Sequence, residues 1–133
     1  MSRLEAFFKY PVNISRKILL VDDDEGIAWI MKKIVKEAGH RLMTAATAKE
    51  GMGKFKRSRD LDMAIIDLRL GNDSGFTFVK KAKEVNDKVK FVMISAFGDP
   101  DIKAKAREIG VRHFLDKPLK AEKLLDIIQR DCI

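Results

Sequence analysis

Two hydrophobic periodicities alternate along the chain. Short apolar runs rich in β-formers occur at Lys17–Val21, Arg41–Ala45, Met63–Ile66, Lys90–Ile94 and Val111–Leu115. Two of them, Ile18-Leu19-Leu20-Val21 and Phe91-Val92-Met93-Ile94, contain an unbroken apolar stretch, which is how strands covered on both faces read. Between the runs the apolar positions switch to helical spacing. Ile27, Ile30, Met31, Ile34, Val35 and Ala38 form one stripe, and Gly39 is placed to end it. Thr47-Ala48-Lys49-Glu50 reads as a capping box, and Ala48, Met52 and Phe55 mark the buried face of the helix it opens. Gly75–Val85 carries Phe78, Ala82 and Val85 at helical spacing. Asp99-Pro100 is an N-cap followed by proline in the first turn; Ile102, Ala106 and Ile109 form the stripe, and Gly110 ends it. Leu124, Leu125 and Ile128 mark a last helix.

Strands thus begin roughly every 20 to 27 residues, each separated from the next by a helix. Such connections make neighbouring strands parallel. The pattern predicts an α/β fold: an open five-stranded parallel sheet with helices on both faces. Residues 1–16 precede the first strand and read as an N-terminal extension to a domain spanning 17–130. Within the extension, Leu4, Phe7 and Phe8 are spaced to form one apolar face of a short helix before Pro11.

Composition narrows this picture without redirecting it. A chain of 133 residues, 46% of them hydrophobic, suits one domain with a real core. The net charge of +7 is spread along the chain. Lys54, Lys56, Arg57 and Arg59 cluster near the end of the second helix, and Lys80, Lys81 and Lys83 lie on the third. No stacking aromatics interleave with them, so solvated basic faces are expected and direct nucleic-acid binding is not. The single cysteine, Cys132, has no internal partner, which fits a reducing cytosol and a cytoplasmic location. No apolar run is long enough to span a membrane, and the N-terminus has no signal-peptide stretch.

In open parallel sheets, ligands bind beyond the carboxyl ends of the strands. After the first strand come Asp22, Asp23, Asp24 and Glu25; after the third, Asp67; after the fourth, Ser95; after the fifth, Asp116-Lys117-Pro118. The second delivers only Ala46 and Thr47, as suits a strand at the margin. Carboxylates gathered at one edge repel one another unless a cation neutralises them, and a few oxygen ligands suit Mg²⁺. Helix capping by Asp24 or Asp23 accounts for one aspartate, but not for two more beside it together with Asp67. Lys117 supplies a point charge able to pair with Asp67 or with a phosphate oxygen.

These residues resemble the response-regulator receiver domains of two-component signal transduction. The resemblance rests on Ile18-Leu19-Leu20-Val21-Asp22-Asp23-Asp24, Ile65-Ile66-Asp67-Leu68-Arg69-Leu70, Met93-Ile94-Ser95-Ala96 and Phe114-Leu115-Asp116-Lys117-Pro118, in that order. It implies the flavodoxin-like strand order 2-1-3-4-5 and a phosphoacceptor at Asp67. It also implies Mg²⁺ held by Asp23 directly, by Asp22 mainly through water, by Asp67 and by the Arg69 backbone carbonyl. Ser95 and Lys117 would each take a phosphoryl oxygen, Phe114 would stand at the switch aromatic's position, and the Lys117–Pro118 bond would be cis. The expected partners are a histidine kinase or histidine phosphotransfer protein upstream and an unidentified protein target downstream. Such a domain is not a conventional enzyme, but it catalyses its own phosphorylation and dephosphorylation.

The chain departs from the family pattern in three places. Leu70-Gly71 stands where Met-Pro is common, serine replaces threonine at 95, and Phe114 lacks a tyrosine's hydroxyl. Two rival functions fit less well. An aspartate-nucleophile phosphatase would carry a second aspartate two residues after the nucleophile, where this chain has Arg69, and a cap domain has no room. A degenerate receiver would not keep Asp22, Asp23, Asp67, Ser95 and Lys117 together. The chain ends soon after the fifth helix, so output is expected to pass through another protein.

Overall fold

The computed structural model describes residues 14–131, so the helix expected around Leu4, Phe7 and Phe8, and Cys132, lie outside the described residues. Five strands, β1 (Lys17–Val21), β2 (Arg41–Ala45), β3 (Met63–Asp67), β4 (Lys90–Ser95) and β5 (Val111–Asp116), alternate with five helices. These are α1 (Glu25–Glu37), α2 (Ala48–Arg57), α3 (Gly75–Val85), α4 (Pro100–Glu108) and α5 (Ala121–Asp131). The strands form one parallel sheet in the order β2-β1-β3-β4-β5. Between β3 and α3, Arg69–Leu70 pairs antiparallel with Asp73–Ser74 in a small separate hairpin. From sequence, Gly71-Asn72-Asp73-Ser74-Gly75 reads as a turn, without the short strand pair formed there. Gly71 sits at its tip with φ 61°, a conformation that favours glycine.

The helix starts follow from side-chain chemistry. The Asp24 carboxylate accepts from the Gly26 and Ile27 amides at 3.0 and 3.1 Å, Ser74 Oγ from Phe76 at 3.1 Å, and Asp99 Oδ1 from Ile102 at 2.8 Å. Each satisfies an amide that the helix itself leaves without a partner. At α2, Thr47 Oγ1 accepts from Glu50 N at 3.1 Å, while Glu50 reaches back to the Ala46 amide at 3.2 Å, one residue before the cap.

Alternate strand residues point to opposite faces, so the sheet builds two cores. Leu19, Val21, Phe91 and Met93 face α2, α3 and α4 with Phe55, Phe78 and Ala106. Phe55 stacks on Phe91 with ring centroids 5.8 Å apart and meets Phe78 edge-on at 6.5 Å. Ile18, Leu20, Ile65 and Val92 face α1 and α5 with Met31, Val35, Leu124 and Ile128. Two residues assigned to buried stripes are exposed. Ile30 is 40% exposed, because Met31 and Val35 centre the face of α1 and Ile30 stands about 100° round the helix from Met31. Val85, the last residue of α3, is 48% exposed, while Val79 beside Phe78 is buried. β3, β4 and β5 each run one residue further than the apolar pattern indicates. Asp67, Ser95 and Asp116 are therefore the last residues of strands, held in register as Asp67↔Ile94 and Ser95↔Asp116.

Candidate functional site

At the carboxyl edge of the sheet, Asp22 follows β1 directly and its amide donates to Ala45 O at 3.0 Å. Its carboxylate is turned inward, and the residue is 3% exposed. Asp67 ends β3 beside it and is also buried. Gly75 lies so close that an added methyl would collide with the Asp67 carbonyl oxygen. Glycine is therefore what allows α3 to start against this strand end. Asp23 is exposed but turns back: one carboxylate oxygen from each of Asp22, Asp23 and Asp67 lies within 4.8 Å of the other two.

Lys117 leaves β5, with its amide donating to Ser95 O at 2.9 Å and a cis bond to Pro118 following. Its ammonium lies 3.1 Å from Asp22 Oδ2, 3.3 Å from Asp67 Oδ2 and 3.9 Å from Asp24 Oδ2. Burial pushes the Asp22 carboxyl up to about 6; the Asp24 amide opposes this, the Asp67 charge adds to it, and Lys117 opposes it. Burial acts to lower the Lys117 pKa, but the hydrogen bond and charge of Asp22, then those of Asp67, outweigh it and the pKa is raised. One positive charge thus serves several carboxylates.

The site fits a hard divalent cation. Its donors are all carboxylate oxygens, and Asp22 Oδ2 is fully buried with no well-aligned hydrogen bond, although the ammonium is close. A buried oxygen in that condition is costly until something better satisfies it, and Asp22, Asp23 and Asp67 would hold the ion.

Ser95 is buried, with Oγ accepting from the Phe97 amide at 2.9 Å. The Arg69 amide donates to Asp67 Oδ1 at 3.2 Å, while its guanidinium lies 4.8 Å from the centre of the Phe97 ring. Phe114 is set apart from the carboxylates. Its half-buried ring has the Lys103 ammonium 5.5 Å from its centre, and a methyl on Gly98 would come within 2.5 Å of it.

The Arg69–Phe97 contact joins the two positions that the resemblance to receiver domains marks as bordering the approach to Asp67. Each residue stands two beyond a strand-end polar group, and β3 and β4 are neighbours with Asp67 level with Ile94, so the two positions leave adjacent strands about one residue apart in register.

A doubly wound parallel α/β domain with an acidic, lysine-bridged pocket at its carboxyl edge is the class this architecture defines. The family model of the response regulator receiver domain matches residues 18–129. The chain is 29% identical over 114 residues to the chemotaxis protein CheY of Treponema pallidum, covering 84% of this chain and 79% of that one. It is 21% identical over 117 residues to the sporulation initiation phosphotransferase F of Bacillus subtilis, covering 88% and 94%. The chemotaxis protein CheY4 of Vibrio cholerae superposes with a TM-score of 0.82 at 28% identity, over 89% of this chain and 99% of that one. This chain belongs to the response regulator receiver domain family.

Proposed function

We propose that this protein is a cytoplasmic response-regulator receiver that takes a phosphoryl group from a phosphohistidine donor onto Asp67, with Mg²⁺ bound by Asp22, Asp23, Asp67 and the Arg69 carbonyl. The gathering of the Asp22, Asp23 and Asp67 carboxylates at one strand edge, with the Lys117 ammonium within 3.3 Å of two of them, carries this reading. When bound, the cation supplies charge neutralisation to an anionic reaction between an anionic nucleophile and an anionic donor. The Asp67 carboxylate oxygen attacks phosphorus, the P–N bond to the imidazole breaks, and its electron pair leaves with the ring nitrogen. The product is an acyl phosphate. Lys117 stands 3.3 Å from Asp67 Oδ2, within reach of a phosphoryl oxygen placed there. Ser95 gives up its role as acceptor from the Phe97 amide and donates to a second oxygen.

That inward pull is the switch. It opens space behind Ser95 for Phe114, and the surface of α4, β5 and α5 changes for a protein partner to read.

Incubation with Mg²⁺ and acetyl phosphate or phosphoramidate is expected to add one phosphoryl group by mass, and Asp67→Asn to prevent it. A wild-type protein that gains no mass, and shows no spectral change with beryllofluoride, would return the chain to the degenerate-receiver alternative.

A further inference from the structure

The basic residues clustered on α2 and α3 do not all end as a solvated face. Lys54 is occupied: its ammonium donates to Thr44 O and pairs with Glu50 at 3.1 Å. Lys56 and Lys81 instead join Lys49 around a cleft of about 460 Å³ between the two helices, a size suited to a small molecule. Ala48, Met52 and Phe78 supply its apolar surface, Ser74 and Thr77 its hydroxyls, and Asp73 its one carboxylate. Among the described residues, none of the three lysines has an ion-pair partner within 4.0 Å.

Two sequence choices on this cleft work against the helix that carries them. Lys49 lies in the first turn of α2, where the helix dipole disfavours a positive charge. Gly53 sits mid-helix, where glycine weakens a helix relative to alanine. Packing explains the neighbouring Gly51, since a methyl there would come within 2.7 Å of Val21 and 3.2 Å of Phe78. At Gly53 a methyl would meet only the flexible tip of Arg57, at 3.2 Å. What the missing side chain leaves open is the cleft.

We propose that this cleft binds a small molecule with an apolar body and one or more anionic groups, the apolar part against Met52 and Phe78 and the anion between Lys49, Lys56 and Lys81. The same cleft is walled by Asp73 and Ser74, one side of the hairpin that begins at Arg69, whose amide is bonded to Asp67. An occupant therefore touches the segment leading out of Asp67. Binding itself does not rest on Asp67 being phosphorylated.

The probe is 8-anilinonaphthalene-1-sulfonate, followed by ¹H–¹⁵N spectra of the full unphosphorylated chain. Expected are saturable shifts in residues 48–56 and 73–81, extending along the hairpin to Arg69. The uncharged analogue that lacks the sulfonate, N-phenyl-1-naphthylamine, should bind at least tenfold more weakly. Lys49→Glu with Lys81→Glu should weaken the anionic probe at least tenfold, and Gly53→Leu should block it. Glu at 49 and Leu at 53 both suit a helix better than the native residues, so a folded spectrum should accompany the lost binding. Shifts scattered over the surface, equal binding of the uncharged analogue, or undiminished binding by the Gly53→Leu chain would overturn the site. Shifts confined to α2 and α3 would overturn its link to the hairpin.

Discussion

Asp22 shows what burying a carboxylate beside other carboxylates does to its chemistry. Its pKa near 6 is set mainly by burial, and a cation can bind only the deprotonated form. Mg²⁺ affinity is therefore expected to be flat above pH 7 and to fall roughly tenfold per pH unit below 6. Titration calorimetry at pH 7.5 and 5.0 checks this, and an affinity unchanged across that range would show that Asp22 is not a ligand. At the mouth of the site the Arg69–Phe97 stack bears on the lifetime of a phosphorylated Asp67. Water must approach in line with the phosphoryl group. Neither side chain is suited to position that water, and their contact spans the gap between the ends of β3 and β4. Replacing Arg69 with Asn and Phe97 with Glu is expected to speed loss of the phosphoryl group about tenfold, a change that needs only about 1.4 kcal/mol. The native state should persist for many minutes to hours; a half-life of seconds would remove the stack from the explanation. The strand-end aspartates, Ser95 and Lys117 were legible in the sequence because a parallel sheet sends every strand terminus to one edge. The stack was legible only as two positions near Asp67, because whether two long side chains meet depends on their rotamers, which neither the hydrophobic pattern nor the strand order sets.

At the scale of elements, local chemistry set the helix boundaries and burial set the faces, and only the first is strictly a sequence property. Asp24, Thr47 and Asp99 cap as their types suggest. The stripes of α1 and α3 were drawn too wide, since an apolar residue at the stripe's edge or at the helix's end reads like one at its centre. On α1 this leaves Trp29 66% exposed, with Ile30 beside it and Ile27 half-buried. The helix begins next to Asp23 and Asp24, so this apolar surface borders the carboxylate cluster. Trp29→Ala is expected to slow transfer from a phosphohistidine protein severalfold while leaving acetyl phosphate labelling unchanged; equal loss with both donors would assign the ring to packing. The two glycines of α2 should also separate. Gly53→Ala is expected to stabilise the fold by about 1 kcal/mol in denaturant titrations. Gly51→Ala should destabilise it, because Val21 and Phe78 cannot both yield to the added methyl.

Across the whole molecule, the sheet separates a chemical edge from the surface that would report on it, and few atoms connect the two. Ser95 ends β4 in register with Asp116 at the end of β5, and Phe114 lies two residues back along β5. Its ring is bounded by Gly98 in the β4–α4 loop and by Lys103 on α4, which also pairs with Asp116 at 3.6 Å. A hydrogen bond from Ser95 to a phosphoryl oxygen is charge-assisted and contributes roughly 1.5–3 kcal/mol, enough to shift a two-state equilibrium by one to two orders of magnitude. That energy reaches α4 only if the ring moves when the hydroxyl does. Phe114→Ala removes the moving part and touches no group in the carboxylate cluster. It is expected to leave acetyl phosphate labelling within about twofold of wild type. The phosphorylation-dependent amide shifts on α4 and β5 should disappear, while those around Asp67 and Ser95 persist. If the shifts on α4 survive in the variant, the signal travels through the β4–α4 loop backbone instead, beginning at the Phe97 amide that donates to Ser95.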